Sequence, residues 1–318
     1  MAAEPADHTG ELRRRRVTRP RPGHADLAGV LKYDRLDARD ILERASARET
    51  TARVAAGALA KRLLDEFGIE IGSHVVSLGG IEVPRAELPV PLNRASDQSE
   101  IRVLDPAVEA QIVSRIDAAK KAGDTLGGEV EVIARGVVVG LGSHVAWDRK
   151  LDGRLAGIMM SIPAVKGVEI GMGFEAARRP GSEVHDPIEG GAAGRWGSGA
   201  EPAPPGPGDP RGGFRRPTNN AGGLEGGITN GEELRVRGYL KPISTLKKPL
   251  RSVDIDTKQE DAAAYERSDV TVVPAAGVIG ESMLAIVLAN AYREKFGGDS
   301  IDEMKRNFDG YADALTHY

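Results

Sequence analysis

Apolar residues along the chain follow either a helical period or the alternating period of a strand, and glycine-rich turns separate the two kinds of segment. The helical period predicts helices over residues 46–67, 105–122, 152–161 and 278–296, and the strand period predicts strands over residues 69–83, 128–141, 161–174 and 234–240. Turns rather than crossover helices join most of these strands, which favours antiparallel sheets. The sequence therefore predicts an α+β fold with long core helices.

The longest early helix, over residues 46–67, carries an apolar stripe and is predicted to lie in the core. We place its buried side on Val54, Ala58, Leu59, Leu63 and Phe67.

Two segments depart from this periodicity. Residues 1–17 contain four consecutive arginines and no apolar pattern, which predicts a disordered basic arm. Residues 187–217 are dominated by Pro, Gly and Ala, which predicts a flexible surface loop. The rest, residues 18–318, is interpreted as a single domain.

Composition narrows the chemistry of this 318-residue chain. It has no cysteine, which excludes disulfides, thiolate metal sites and a cysteine nucleophile, and we assign no metal ligand. The net charge of −4 disfavours general binding of nucleic acid. We see no apolar run of the roughly 18 residues that a membrane span needs, and no secretion signal, so we predict a cytoplasmic protein with no membrane partner.

An anion site is predicted at the start of the first long helix. Ser46 and Glu49 have the spacing of a reciprocal capping pair, and Arg44 and Arg48 stand beside the same helix start. Guanidinium groups next to a helix N-terminus suit a phosphate or a carboxylate. The alternative is an ordinary capped helix with surface arginines.

Three further segments could bind an anion. Prolines hold the segment TRPRPGHAD extended, so that Arg21 and His24 project from a stiff support. The turn KPIST, residues 241–245, places a cation and two hydroxyls on a proline-stiffened turn. The glycine-rich residues 219–227 allow close backbone approach, but they match neither a Walker loop nor a dinucleotide fingerprint. The alternatives are a solvated basic turn and a plain hairpin.

Taken together, seven segments in order resemble the chorismate synthase family. They are RPRPGHADLAG, ERASARET, SIPAVKGVEIG, TNNAGGLEGGITNGE, LKPISTL, KPLRSVDID and RSDVTVVPAAGVIGE. The resemblance implies a β-α-β sandwich of antiparallel sheets around core helices, usually assembled as a homotetramer.

The same resemblance implies a lyase that converts 5-enolpyruvylshikimate 3-phosphate into chorismate and phosphate by a 1,4-anti elimination, within aromatic amino acid biosynthesis. The family requires reduced FMN although no net oxidation occurs. NADPH enters only indirectly, as a reductant.

Residue roles follow from the resemblance alone. His24 matches an acid/base histidine, and Asp269 matches a carboxylate that assists proton removal at the flavin. Arg48 and Arg21 match residues that bind the phosphate and carboxylates of the substrate. The residues that match FMN contacts are Arg44, Ala45, Ser46, Gly226, Lys241, Pro242, Ile243, Ser244, Thr245 and Arg267.

One departure from the family bears on whether the chain is active. The family begins earlier, with a Gly-Glu-Ser-His-Gly motif that carries a second catalytic histidine, and the sequence contains no such motif. We therefore expect a weakly active or inactive chain when alone. The alternatives are a non-catalytic FMN-binding or assembly module of the same fold, a misassigned start, and a nucleic-acid-binding protein that uses Arg13 to Arg21, which the acidic remainder disfavours.

Overall fold

A computed structural model describes residues 16–45, 47–84, 87–190, 213–266 and 268–317, with the backbone alone at residues 47 and 48. The helices are α1 (Asp26–Tyr33), α2 (Arg39–Leu42), α3 (Ala47–Asp65), α4 (Leu92–Ser96), α5 (Pro106–Ala122), α6 (Leu151–Met160), α7 (Gly181–Val184), α8 (Val273–Phe296) and α9 (Ile301–Thr316), with a 3-10 helix at Gly173–Arg178. The strands are β1 (Glu70–Leu78), β2 (Ile81–Glu82), β3 (Gly128–Arg135), β4 (Val165–Ile170), β5 (Glu189–Gly190), β6 (Phe214–Arg215), β7 (Leu224–Glu225), β8 (Ile228–Thr229), β9 (Leu234–Leu240), β10 (Arg251–Val253) and β11 (Glu260–Ala262).

Five of the strands form one antiparallel sheet in the order β2-β1-β3-β9-β4. The α+β class and the antiparallel pairing are thus confirmed. Two predicted strands differ in detail because glycines with positive φ turn the chain. Gly79 and Gly80 (φ 62° and 84°) convert residues 69–83 into the β1–β2 hairpin, and Gly136 (φ 76°) follows the last residue of β3.

Helix α8 forms the middle of the core. One side of α8 packs on β1 and β3, the other packs on α3, and α6 lies beside it over β4 and β9. A helix that is covered on two sides is expected to be apolar around most of its circumference, and α8 has this character. By length and composition α8 could also span a membrane, with a mean hydropathy of 1.6, which corrects our prediction that no such segment exists. However, 67% of that window is buried inside the fold, as in a core helix.

One buried carboxylate in α8, Glu281, ties this core together. Its side chain is 2% exposed and pairs with Lys61 of α3. Its other partners are Ser73 Oγ at 2.6 Å, Arg102 NH2 at 3.0 Å and Asn93 Nδ2 at 3.1 Å. A buried charge is tolerated when it is paired and hydrogen-bonded in this way. Glu281 therefore links α3, β1 and α4 to α8.

The buried face of α3 differs from the prediction. Leu64 is fully buried, whereas Leu59 is 77% exposed and Ala58 is also exposed. Gly57 contacts α8 so closely that a Cβ at this position would lie 2.3 Å from Cβ of Ser282. Compared with the prediction, the helix is rotated about its axis so that Gly57 faces α8. The prediction considered only large apolar side chains and therefore did not include this glycine.

The face of the sheet that points away from α8 carries a row of paired charges. His74, Glu131, Arg237 and Glu169 are cross-strand neighbours on β1, β3, β9 and β4. Burial disfavours ionisation of Glu131, but hydrogen bonding to His74 and the charges of His74, Arg237 and Arg235 outweigh it and lower the pKa of Glu131 to about 2. Burial and a hydrogen bond to Glu169 raise the pKa of Tyr239, beside this row, to about 12.

The predicted arm and loop fall largely outside the described residues. Residues 1–15 and 191–212 are not described. Arg16 and Val17, which the prediction included in the arm, are held in place: Arg16 donates to Asp256 at 3.0 Å, and the Val17 amide donates to Asp37 at 2.8 Å. The two ends of the predicted loop pair as β5 and β6.

Replacing Gly57 should test the close contact between α3 and α8. Gly57→Ala gains helix propensity, but its new methyl group would overlap Ser282, so we expect a net loss of about 1–3 kcal/mol in the free energy of unfolding. Urea unfolding measures this change. The matched control is Gly157→Ala in α6, where nothing lies within 4 Å and stability should be unchanged or higher. Equal effects at both positions would contradict the packing described here.

Replacing Glu131 should change the acid sensitivity of the fold. The folded pKa of about 2 lies below the ordinary 4.5, so ionised Glu131 stabilises the fold above about pH 4.5, and this stabilisation is lost as pH falls towards 2. Glu131→Gln should therefore cost about 1–3 kcal/mol at neutral pH, with a difference from wild type that shrinks between pH 4.5 and 2. Urea unfolding at a series of pH values measures it, with Glu260→Gln in an exposed pair as the control. A difference that is independent of pH would contradict this assignment.

Candidate functional site

The candidate site lies at the end of the sheet where β9 runs into residues 241–245. The Lys241 amide donates to Ala164 O at 2.9 Å, and Thr125 Oγ1 donates to Ile243 O at 2.7 Å, so the sheet edge fixes this turn. Lys241 Nζ contacts Gly23 O and Ser244 Oγ, the latter at 3.0 Å. Burial, with a smaller contribution from Lys166, lowers the pKa of Lys241. The predicted phosphate turn, residues 241–245, is thus held by hydrogen bonds and carries one ammonium group and two hydroxyls.

The loop that carries His24 folds against this turn. His24 Nδ1 lies 2.6 Å from Asp26 Oδ1 in the first turn of α1. Arg21 donates to the same carboxylate from Nε at 2.8 Å and from NH2 at 3.1 Å, in a bidentate pair. Arg21 NH1 donates to Thr245 Oγ1 at 2.9 Å. Arg21 therefore connects the histidine loop to the turn.

Asp26 is the most buried of these groups. Its side chain is 0% exposed, against 9% for Arg21 and 19% for His24. Burial by itself raises the pKa of Asp26, but hydrogen bonds from His24 and Arg21 outweigh it and hold the pKa well below its ordinary value. Asp26 is consequently an ionised acceptor at neutral pH.

A third segment, residues 268–270, closes the site from the side of α8. Ser268 Oγ donates to Thr245 O at 3.2 Å, and Leu126 N donates to Val270 O at 2.8 Å. Asp269 follows Ser268 and lines a solvent-open cleft together with Thr245. Lys120 and Lys247 line the same cleft. The predicted carboxylate and the predicted phosphate turn are therefore brought together.

The residues predicted at the start of α3 are only partly described. Arg44 is exposed, and its side chain has no hydrogen-bond or ion-pair partner among the described residues, while Ala45 is half-buried. Arg39 NH2, at the start of α2, lies 4.0 Å from Glu266, so α2 reaches the chain just before the third segment. The predictions for Ser46, for the side chain of Arg48 and for Arg267 lie outside the described residues.

Gly226 is not brought to the turn. It lies at the tip of the β7–β8 hairpin, where a methyl group added to this glycine would lie 3.8 Å from His144 Cβ. Gly223, at the base of that hairpin, packs on Leu234 at the start of β9, whereas Lys241 follows the end of β9. Seven strand residues, about 20 Å, separate the two ends. A single chain therefore holds Gly226 and Lys241 apart.

The donor chemistry fits a phosphorylated flavin in part. A phosphate and a polyhydroxyl chain match the ammonium of Lys241 and the hydroxyls of Ser244 and Thr245. The exposed guanidinium of Arg44, which has no partner among the described residues, suits a second anionic group. The cleft beside Thr245 is open to solvent, so it would surround only part of such a ligand.

Sequence reasoning missed Asp26 and Ser268. Both stand inside the quoted segments, in GHAD and RSD, but only the folded loop shows that Asp26 turns back onto His24 and Arg21. It also assigned Arg21 to substrate, whereas the structure engages Nε, NH1 and NH2 with protein groups.

Comparison with known proteins agrees with the resemblance. A family model described as chorismate synthase matches residues 6–292. A chorismate synthase of Geobacter metallireducens is 55% identical over 304 residues, covering 95% of this chain and 75% of that protein. One of Salinispora tropica is 53% identical over 321 residues, covering 99% and 77%. A crystal structure of chorismate synthase is 44% identical with a TM-score of 0.74, covering 91% of this chain and 76% of the other.

Proposed function

The chain belongs to the chorismate synthase family, and from this membership we propose that it converts 5-enolpyruvylshikimate 3-phosphate into chorismate and phosphate. The carbon–oxygen bond to the phosphate breaks, a ring proton leaves, and a new carbon–carbon double bond forms. The observation that carries the proposal is the convergence of His24, the turn at residues 241–245 and Asp269 at one end of the sheet.

Each part of this site has a proposed task. Lys241, Ser244 and Thr245 hold the phosphate and hydroxyl groups of FMN, and Arg44 contacts the same cofactor. Reduced FMN, when bound, supplies the electron density that departure of the phosphate requires. Arg48 binds an anionic group of the substrate, because guanidinium groups pair bidentately with carboxylates and phosphates.

Proton movement is assigned to His24 and Asp269. His24 is 19% exposed, so part of its ring remains accessible, and imidazole is the side chain best suited in general to exchange a proton near neutral pH. Asp269 is exposed on the cleft and is proposed to accept a proton there. Arg267, one position before Ser268, and Gly226 complete the proposed cofactor contacts.

Assembly and compartment belong to the same proposal. The outer face of α3 exposes Leu59 beside Ala55 and Ala56, an apolar strip that a neighbouring copy in a homotetramer would cover. Since Gly226 and Lys241 lie at opposite ends of β9, contact of both with one flavin would need two chains. We propose the cytoplasm as the compartment and NADPH as an indirect reductant only.

The purified chain should form chorismate under anaerobic conditions with reduced FMN and 5-enolpyruvylshikimate 3-phosphate. Chorismate and phosphate should appear in equal amounts, and no product should form with oxidised FMN. FMN binding without product would instead support the alternative of a non-catalytic module of the same fold, which the identity to chorismate synthases disfavours. Absence of both binding and product would overturn the proposal.

Replacing Lys241 should weaken FMN binding. Lys241→Met keeps the length of the side chain but removes the charge from the turn, so we expect the dissociation constant for FMN to rise about 10- to 100-fold. Fluorescence titration of FMN measures it. The control is Lys32→Met in α1, where the ammonium lies 5.0 Å from the ring of its neighbour Tyr33. Unchanged affinity in Lys241→Met would exclude this turn as the phosphate site.

A further inference from the structure

Asp26 has no role in the function proposed above, although it is a fully buried carboxylate in contact with the proposed acid/base residue. Four donors surround it: His24 Nδ1 at 2.6 Å, Arg21 Nε at 2.8 Å, and the Arg21 NH2 and backbone N at 3.1 Å each. A surface ion pair would not have this geometry. Both oxygens of Asp26 are used, and each accepts from a group whose position matters to the site.

The ionised state of Asp26 decides where the proton of neutral His24 resides. A carboxylate only accepts hydrogen bonds, so the ring nitrogen 2.6 Å away must carry a hydrogen. That nitrogen is Nδ1, which leaves Nε2 as the atom that gains and loses a proton. Arg21 NH2 also lies near the ring, 3.1 Å from Nδ1 and 3.4 Å from Nε2, and at the same time donates to Asp26 Oδ1.

We propose that Asp26 is a positioning residue that, held by Arg21, fixes His24 as the Nδ1–H tautomer and assigns proton exchange at the site to Nε2. The protonated ring gives up the hydrogen on Nε2 and keeps the one on Nδ1, so Asp26 stays ionised throughout. The catalytic consequence rests on the proposed function, whereas the tautomer itself does not.

Arg21 extends this role to the phosphate turn. Its NH1 donates to the buried hydroxyl of Thr245, while Nε and NH2 grip Asp26. The bidentate pair with Asp26 prevents rotation of the Arg21 guanidinium. Because NH1 of the same group binds Thr245, the position of Thr245 is fixed relative to His24. The ammonium group of Lys241 also lies against this loop, where it contacts Gly23 O, next to His24. Arg21 is therefore a positioning residue as well, because its nitrogens are already engaged.

The tautomer can be observed directly in the wild-type protein. Selective ¹⁵N labelling of the six histidines, with ¹H–¹⁵N correlation spectra of the ring nitrogens recorded at alkaline pH, separates the two neutral tautomers. His24→Gln identifies the signal of His24 by its loss. We expect Nδ1 to carry the proton, and an Nε2–H tautomer in the wild type would overturn the proposal without any variant of Asp26.

Asp26→Asn should reverse the tautomer. The amide oxygen remains to accept from Arg21, so the amide nitrogen turns to His24 and donates to Nδ1, which must then lose its hydrogen. We expect the proton on Nε2, a loss of about 10- to 100-fold in kcat with little change in KM, and an altered dependence of kcat on pH. Retention of the wild-type tautomer together with wild-type kcat would overturn the proposal.

A matched control separates positioning from stability. Asp37→Asn removes a carboxylate that anchors the same segment by accepting from the amides of Val17 and Arg39, at 2.8 and 2.9 Å, but touches no histidine. It should leave both the His24 tautomer and the pH dependence unchanged. If the wild type shows the Nδ1–H tautomer but forms no chorismate, the proposed function fails and the assignment of the proton remains.

Discussion

The close contact of α8 with its neighbours is the constraint on which the rest of the structure depends. Three glycines make it possible: Gly57 of α3 meets Ser282, Gly277 meets Ser73 and Gly280 meets Val132. At each point a methyl group would lie within 2.3 to 2.8 Å of an atom across the contact. Such close packing brings Glu281 within reach of groups on α3 and β1, and a buried carboxylate needs all of them.

The core elements hold the residues of the candidate site in position. The segment that leads into α8 passes along the cleft, where Val270 O accepts from Leu126 and Ser268 donates to Thr245. The turn at residues 241–245 follows directly from β9, whose position is set by pairing with β3 and β4. Groups on a strand end and at a helix start are held more precisely than groups on a long loop. The helix layer and the sheet thus position the same few side chains from two directions.

Much of the fold could be predicted from the sequence, because burial of apolar residues imposes a period of 3.6 or 2 that can be read directly. The buried face of α3 could not be predicted, because α3 contacts α8 through a glycine, Gly57, and leaves Leu59 exposed to solvent. The segments of the site were found by residue type, yet their spatial grouping was not. Gly226 and Lys241 are close in sequence, and the strand between them carries them apart.

Asp26 shows why the chemistry of a site is harder to predict than its residues. In the sequence, Asp26 is an acidic residue two positions after a histidine, and such a residue is expected to be exposed to solvent. Burial without partners would cost several kcal/mol, so its position requires that Arg21 and His24 be ordered at the same time. The buried pair adds little net stability for the same reason, because desolvation offsets most of the attraction. Its contribution is to orientation. The Asp26 carboxylate fixes the proton on the His24 imidazole and the plane of the Arg21 guanidinium, and through Arg21 it orients the hydroxyl of Thr245.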